Sequence, residues 1–183
     1  MKIPSILSFI AALVWFADVA RSATLEVDKD RSRIQVDAKA TGHTFAGDLQ
    51  KYTLTAEGDA TTNIPTALSL SWDFNDLKTA EDKRDKAMLD WLGGGKPKGS
   101  FTFVKSWDEK PEGGKAQGTL TINGVSKLVA FTYTVKKEGG WLTVDGHVPM
   151  DYQDFKLPIV RAMALMTVDP KLVIRFHVVG KAK

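Results

Sequence analysis

Cysteine is absent from the 183-residue chain, which excludes disulfide bonds, thiolate metal sites and thiol catalysis. Basic runs longer than two residues are also absent, and the 25 basic and 22 acidic residues are interspersed. A nucleic-acid-binding protein would concentrate its positive charge on one element, so that class is disfavoured. The chain also has no internal repeat, low-complexity segment or interdomain linker. Its length and its 43% of hydrophobic residues fit one globular domain.

One long apolar run stands at the N-terminus of the sequence. Lys2 precedes an apolar stretch over residues 6–17, and small residues follow it. The stretch has the length of a signal-peptide core and is short of the ~20 residues that span a bilayer. We therefore expect residues 1–22 to be a signal peptide, cleaved within residues 20–23, followed by a periplasmic domain over residues 23–183. An uncleaved membrane anchor is the disfavoured alternative, because charged residues follow the stretch closely.

The remaining chain alternates between apolar and polar residues, which is the period of a half-buried β-strand. In residues 33–40, for example, Ile34, Val36 and Ala38 share one face, and polar, mostly charged residues occupy the other. Further alternating segments cover residues 52–58, 68–74, 101–103, 116–122, 129–135, 142–148 and 172–178. Eight antiparallel strands must close into a barrel or stack as two sheets.

The inward positions of these strands mix large aromatic residues with alanine and glycine, and this mixture favours a barrel with internal space over a sandwich. An eight-stranded barrel has an interior that side chains can just fill or that holds one small ligand. Small residues such as Ala38, Ala56 and Gly118 shift the balance toward a cavity. The alternative is tight packing, in which Gly118 and Ala116 merely accommodate Val129 and Phe131.

Asn123-Gly124 predicts a two-residue hairpin, because this dipeptide suits the positive φ angles of a type I′ turn. Ile122 then faces Val125, and every paired position sums to 247. One face of the two strands is nearly all apolar in this register, and the other is mostly polar. Sequence pattern and turn chemistry therefore agree on the pairing.

Residues 79–92 break the alternation and predict one amphipathic helix inserted between strands. Thr79 and Asp82 have a spacing similar to a capping box, and a run of three glycines ends the segment. A second short helix is compatible with Val160 to Met166.

Four segments resemble a known family when they are taken in order and at their spacing: Asp30–Ile34, Arg84–Asp85, Gly118–Val125 and Asp151–Phe155. They are similar to the YceI-like family of exported, lipocalin-like polyisoprenoid-binding proteins, and the similarity covers most of residues 24–180. Two loops depart from the family pattern. Residues 93–99 replace a turn rich in aspartate and phenylalanine, and Gln153 stands where the family usually has arginine.

This resemblance implies an all-β fold, an extended eight-stranded antiparallel lipocalin-like β-barrel whose interior binds a long isoprenoid-type chain. We therefore predict an exported lipid-binding protein that carries or sequesters an isoprenoid or similar amphiphile, as a monomer or homodimer. We expect no cofactor other than a bound lipid or isoprenoid quinone, no nucleic-acid partner and no stable membrane insertion. The alternative is an accessory protein of a membrane electron-transfer or envelope-stress system that uses the barrel as a scaffold.

Large apolar side chains at inward strand positions or on the predicted helices are the candidate ligand contacts. They are Trp72, Phe74, Met88, Trp91, Phe101, Phe103, Phe131, Tyr133, Met163, Met166 and Phe176. Four basic residues are candidate contacts for a ligand head group: Arg84, Lys96, Lys98 and Arg161. For Arg84-Asp85 we favour a structural role that ties the helix to the barrel.

The sequence offers little support for a catalytic or metal site. No two of His43, His147 and His177 have the spacing of a helical metal pair, and no G-x-S-x-G elbow occurs. The glycine run at residues 93–95 follows a helix, which is the wrong end for binding a phosphate. We predict no catalytic residues, no metal site and no enzymatic activity.

Overall fold

A computed structural model describes residues 22–62, 64–162 and 166–183, apart from the side chains of Ala162 and Met166. The predicted signal peptide therefore lies outside the described residues except for Ser22. The strands in the described ranges are β1 Ser22–Ala40, β2 His43–Leu49, β3 Thr53–Asp59, β4 Pro65–Asp73, β5 Leu77–Lys78, β6 Lys98–Lys110, β7 Gly113–Ile122, β8 Val125–Glu138, β9 Trp141–Asp151, β10 Arg161–Ala162, β11 Met166–Thr167 and β12 Lys171–Ala182. Helix α1 covers Asp82–Trp91, and 3₁₀ turns cover Phe74–Asp76 and Tyr152–Phe155.

Eight strands close into an antiparallel barrel in the order β1-β3-β4-β6-β7-β8-β9-β12. The pairing of β1 with β12, in which Ile34 lies opposite Phe176, completes the circle. Each of the eight alternating segments of the sequence falls on one of these strands. The predicted barrel is therefore confirmed, and a two-sheet sandwich is excluded because the hydrogen-bonded circle leaves no second sheet to stack.

The β7–β8 hairpin has the predicted register. Ile122 pairs with Val125, and the pairing continues to Ala116 opposite Phe131. Asn123 and Gly124 have φ angles of 46° and 82°, as a type I′ turn requires. Leu120 is 2% exposed and Leu128 is 63% exposed, so the two faces separate as the alternation indicates.

Strand β2 was not predicted, because its sequence resembles a turn. His43 follows Gly42, and Gly47 interrupts the segment. In the structure β2 pairs with the second half of β1, starting with His43 opposite Ala40, and then reaches β5. Strand β1 also begins at Ser22, well before the predicted residue 33, and its register with β12 shifts between Asp28 and Arg33.

Helix α1 is shorter than predicted, and its predicted capping pair is wrong. Glu81 is the N-cap residue, and its side chain makes no capping hydrogen bond. Thr79 instead donates its hydroxyl to Oδ1 of Asp85 at 2.6 Å. At the other end of the helix, Nδ2 of Asn123 donates to the Leu92 carbonyl at 2.8 Å, which ties the helix to the β7–β8 turn.

The prediction of a second short helix is also wrong over the residues that the structure describes. Arg161 pairs with Thr167 and Ala162 pairs with Met166, so β10 and β11 form a small ladder over part of Val160 to Met166. The Thr41 amide donates to the Thr167 carbonyl at 3.0 Å and binds this ladder to the β1–β2 turn. A short apolar run does not by itself distinguish a strand from a helix, which explains the error.

The two ends of the barrel differ. The helix end carries α1, the β1–β2 and β7–β8 turns and the β10–β11 ladder. The opposite end carries Ser22, the turn after Asp59, and the end of β12 at Ala182, which lies opposite Leu25. Among the described residues, no helix combines the length and hydropathy that a bilayer crossing needs.

Candidate functional site

A cavity of about 710 Å³ occupies the barrel. Its lining reaches from Ala23 and Ala182 at the opposite end to His43 and Arg84 at the helix end, so it extends along the length of the barrel. Leucine, valine, isoleucine, alanine and aromatic side chains make up most of the lining. The volume lies within the ~300–1,000 Å³ of ordinary ligand pockets, and the site can accept an elongated apolar molecule.

The small residues of the barrel contribute to this cavity in two different ways. Ala38, Ala56 and Gly58 line the cavity directly. Gly118 does not, because the ring of Phe101 covers it, and a Cβ atom there would clash with that ring. The prediction that Gly118 adds to the cavity is therefore wrong, because this glycine lets the Phe101 ring lie close to the wall.

Three aromatic rings form a connected row along the inner wall of the barrel, on strands β6, β8 and β12. The ring centroids of Phe101 and Phe131 are 5.9 Å apart, and those of Phe131 and Phe176 are 5.7 Å apart, both in edge-to-face geometry. Such pairs are favourable beyond the area that they bury. The row gives the cavity a fixed aromatic surface.

Nine of the eleven predicted ligand contacts line the cavity: Trp72, Phe74, Met88, Trp91, Phe101, Phe103, Phe131, Tyr133 and Phe176. Met163 lies outside the described residues, and the structure describes only the backbone of Met166. The sequence thus identified residues that the fold brings together, and their contact with a ligand stays a prediction.

Tyr133 contributes an uncharged phenol to the cavity lining. Burial raises the pKa of this phenol above its ordinary value, and the Glu109 carboxylate raises it further. The side chain is therefore neutral at neutral pH.

Charged residues in the lining are confined to the ends of the cavity. Glu57 and Asp59 lie at the opposite end, and Glu81, Lys83 and Arg84 lie at the helix end. His43 lies with the latter group, opposite Ala40 at the β1–β2 turn. The cavity therefore has an apolar middle and two ends of different polarity.

The prediction that Arg84 and Asp85 tie the helix to the barrel agrees with their contacts. Asp85 is 6% exposed and accepts hydrogen bonds from the amide and the hydroxyl of Thr79 at 2.9 and 2.6 Å. Arg84 donates through Nη2 to the Thr79 carbonyl at 2.6 Å and lies over the Phe45 ring, with Cζ 4.4 Å from its centroid. Both side chains hold α1 against β2 and the residue after β5.

The other three candidate head-group contacts, Lys96, Lys98 and Arg161, do not line the cavity within the described part of the chain. Lys96 and Lys98 lie near Asp73, whose pKa is lowered mainly by a hydrogen bond from the Asn75 amide and slightly by these two charges.

His43 lies apart from the other two histidines. His43 lines the cavity, whereas His147 and His177 occupy outward positions on neighbouring strands, where Nδ1 of His177 is 2.6 Å from Oδ1 of Asp145. No group of three metal-ligating side chains occurs among the residues that the structure describes.

Strand β2 supplies a part of the lining that was not predicted from the sequence. His43, Phe45, Gly47 and Leu49 all face the cavity. Their alternation was the available signal, and the polar His43 and the two nearby glycines obscured it. Lys83 was also missed, because its exposed position in a charged helical segment resembles ordinary solvated surface.

Fold and cavity together define a closed antiparallel barrel of the lipocalin type with an apolar interior. The sequence matches the YceI-like domain model over residues 25–180, and the chain belongs to this family. The match confirms the family resemblance and agrees with the prediction of a binding protein rather than an enzyme.

Solved structures with the same fold are distant in sequence. BcnA of Burkholderia cenocepacia has a TM-score of 0.72 at 18% identity, over 85% of this chain and 100% of that chain. A polyisoprenoid-binding domain from Saccharophagus degradans, implicated in plant cell wall breakdown, has a TM-score of 0.64 at 15% identity. The match covers 89% of this chain and 100% of that domain. The YceI protein of Campylobacter jejuni has a TM-score of 0.59 at 21% identity. The match covers 75% of this chain and 84% of that chain. No curated protein matches the sequence.

Proposed function

We propose that this chain is an exported lipid-binding protein that holds an isoprenoid-type or similar long apolar chain inside its barrel, for carriage or sequestration. The observation that carries the proposal is the apolar cavity of about 710 Å³ along the barrel. The polyisoprenoid-binding domain from S. degradans supports the choice of ligand class, because it shares this fold.

Hydrophobic burial accounts for the binding energy. About 400 Å² of apolar chain, at roughly 25 cal/mol per Å², contributes on the order of 10 kcal/mol before the costs of ordering the ligand. An apolar tail needs no charged partner, so the middle of the cavity can remain uncharged. Carriage also requires release, which fits a cavity that reaches both ends of the barrel.

The first experiment extracts purified protein with organic solvent and identifies the extracted molecules by mass spectrometry. Ala38→Leu and Ala56→Leu place larger side chains in the lining and should lower both the co-purified lipid and the uptake of farnesol. Ala130→Leu is the matched control, because Ala130 is exposed and does not line the cavity. Protein that takes up no lipid in any form would contradict the proposal.

The export part of the proposal rests on residues 1–22. The full chain, expressed in a Gram-negative host and recovered from the periplasm, should have an intact mass that places its N-terminus within residues 21–24, because cleavage after any of residues 20–23 leaves the next residue at the N-terminus. A full-length mass in the cytoplasmic fraction would contradict export.

A further inference from the structure

We infer that the ligand enters and leaves the cavity through the wall of the barrel, between β1 and β3, and that the Tyr52 side chain closes this route. The inference rests on the proposed lipid binding and adds to it the path by which the ligand exchanges.

The junction between β1 and β3 has the shortest ladder among the eight junctions of the barrel. Its pairing joins Ser22–Thr24 to residues 57–59 and then stops. Beyond this point β1 continues along β12, and its second half takes β2 as its neighbour in place of β3. Residues 25–33 of β1 and residues 53–56 of β3 therefore have no described ladder partner across this junction, which leaves a gap in the wall.

A bulge in β1 lies beside this gap. The register with β12 shifts between Asp28 and Arg33, so residues 29–32 have no ladder partner on that side either. Ser32 holds the bulge in place through its side chain, because its hydroxyl donates to the Asp28 carbonyl at 2.6 Å and accepts from the Val179 amide at 2.9 Å. Segments that are held by few backbone hydrogen bonds open more readily than the rest of a fold.

Tyr52 lies in the gap, directly before β3. It packs against the buried cluster that contains Ile34, and Lys29 lies over its ring with Nζ 5.9 Å from the centroid. Ile34 on β1 and Leu54 on β3 line the cavity on the two sides of the gap. The Tyr52 ring therefore separates this part of the lining from solvent.

The closed position of Tyr52 leaves one of its own groups unsatisfied. Its hydroxyl is buried and has no hydrogen-bond partner among the described residues. When the ring swings outward, this hydroxyl bonds to water, so opening recovers an interaction that the closed position lacks. Lys29 donates to the Tyr52 carbonyl at 3.3 Å across the gap, and because this bond is exposed, water can replace it.

The residues that border the gap suit the passage of an apolar tail. Leu25 and Ile34 on β1 and Leu54 and Ala56 on β3 all line the cavity and carry no charge. The two ends of the cavity, in contrast, carry the charged lining residues. A tail that crosses a charged rim displaces water from those charges, and a route through this part of the wall avoids that cost.

The absence of cysteine makes a cross-link across the gap a direct test. Lys29→Cys/Thr53→Cys is joined by a short bismaleimide with an internal disulfide, because the Lys29 side chain already reaches the residue before Thr53. The probe is retinol, an isoprenoid alcohol that quenches the fluorescence of Trp72 and Trp91 in the lining, and excess farnesol displaces it. The cross-link should slow entry and exit by about tenfold at unchanged Kd, since binding then lacks its conformational step, and reduction should restore both rates.

Thr55→Cys/Ser69→Cys with the same linker is the matched control. Thr55 and Ser69 are exposed and lie opposite each other in the β3–β4 ladder, where the wall is already paired. This cross-link should leave entry and exit unchanged.

Two substitutions of Tyr52 should move the exchange rates in opposite directions. Tyr52→Phe removes the unpartnered hydroxyl, so it should slow entry and exit by about threefold without lowering the melting temperature. Tyr52→Ala removes the ring and should accelerate both rates. A tyrosine with a merely structural role would lower the melting temperature in both variants and leave the rates unchanged. If Tyr52→Ala does not fold, Tyr52→Phe and the cross-link still decide the question.

The outcomes separate the route from the binding itself. Unchanged rates in the protein cross-linked between positions 29 and 53 would overturn the inference, assign exchange to the ends of the barrel and leave lipid binding intact. Slower exchange in the β3–β4 control as well would also overturn it, because the effect would not be specific to the gap. Absence of retinol and farnesol binding by wild-type protein would instead contradict the proposed function, and the inference with it.

Discussion

The ring of Phe176 covers Gly146, its partner across the β9–β12 pair, so closely that a Cβ atom at position 146 would clash with the ring. Phe101 covers Gly118 in the same way between β6 and β7. Each glycine provides a recess into which a large ring fits. The rings therefore belong to the wall of the barrel, and the space along its axis stays open.

Gly146→Ala should push the Phe176 ring toward the cavity. We expect a loss of stability of about 1–3 kcal/mol from overpacking, together with weaker uptake of farnesol because the cavity becomes narrower. Urea unfolding and ligand titration measure the two effects. The double variant Gly146→Ala/Phe176→Leu should recover only part of the lost stability, because the smaller side chain removes the clash with the ring but not the contact of the new Cβ atom with the Thr132 carbonyl oxygen at 2.9 Å. Full additivity of the two single changes would show that the ring does not depend on the glycine.

Local sequence signals predicted most of the barrel. The β7–β8 hairpin was correct to the residue, because Asn123-Gly124 and the alternating pattern specify the same register. Strand β2 was missed because its pairing partner, the second half of β1, imposes an extended conformation on a segment whose own residues favour a turn. Tertiary pairing thus overrode local preference, as is common for strands.

The cavity itself could be predicted only in part. The alternation identified seven aromatic residues that point inward, and all seven line the cavity. Whether Gly118 leaves a void or receives a ring depends on the rotamer of Phe101, which no pattern along the chain encodes. The grouping of Lys83 with His43 depends on how α1 crosses the barrel end, and this is also a long-range property.

Asp85 should be the residue on α1 whose loss most affects the attachment of the helix. Asp85→Ala removes the acceptor of two buried hydrogen bonds from Thr79 and leaves the Thr79 amide unsatisfied. We expect a loss of about 2–3 kcal/mol in urea unfolding and faster proteolysis within α1. Asp90→Ala is the control on the same helix, because Asp90 forms only an exposed pair with Lys86, and its loss should cost under about 0.5 kcal/mol. Equal effects of the two changes would contradict the structural role of Asp85.

Asp59 should make the turn at the opposite end of the cavity sensitive to acid. Its Oδ1 atom accepts bonds from the amides of Thr61 and Thr62 and from the Thr62 hydroxyl, and the Thr62 amide is the largest cause of its lowered pKa. A carboxylate whose folded pKa is depressed stabilises the fold above its unfolded pKa of about 3.9, and this contribution is lost as the pH falls through the folded value. Asp59→Asn should therefore lower the melting temperature at pH 6 and above, and the difference from wild type should shrink to zero in strong acid.

Asp154→Asn, at an exposed carboxylate that accepts none of the described hydrogen bonds, should show no such pH-dependent difference. A constant offset between wild type and Asp59→Asn from pH 2 to pH 7 would show that the charge of Asp59 contributes nothing to the turn.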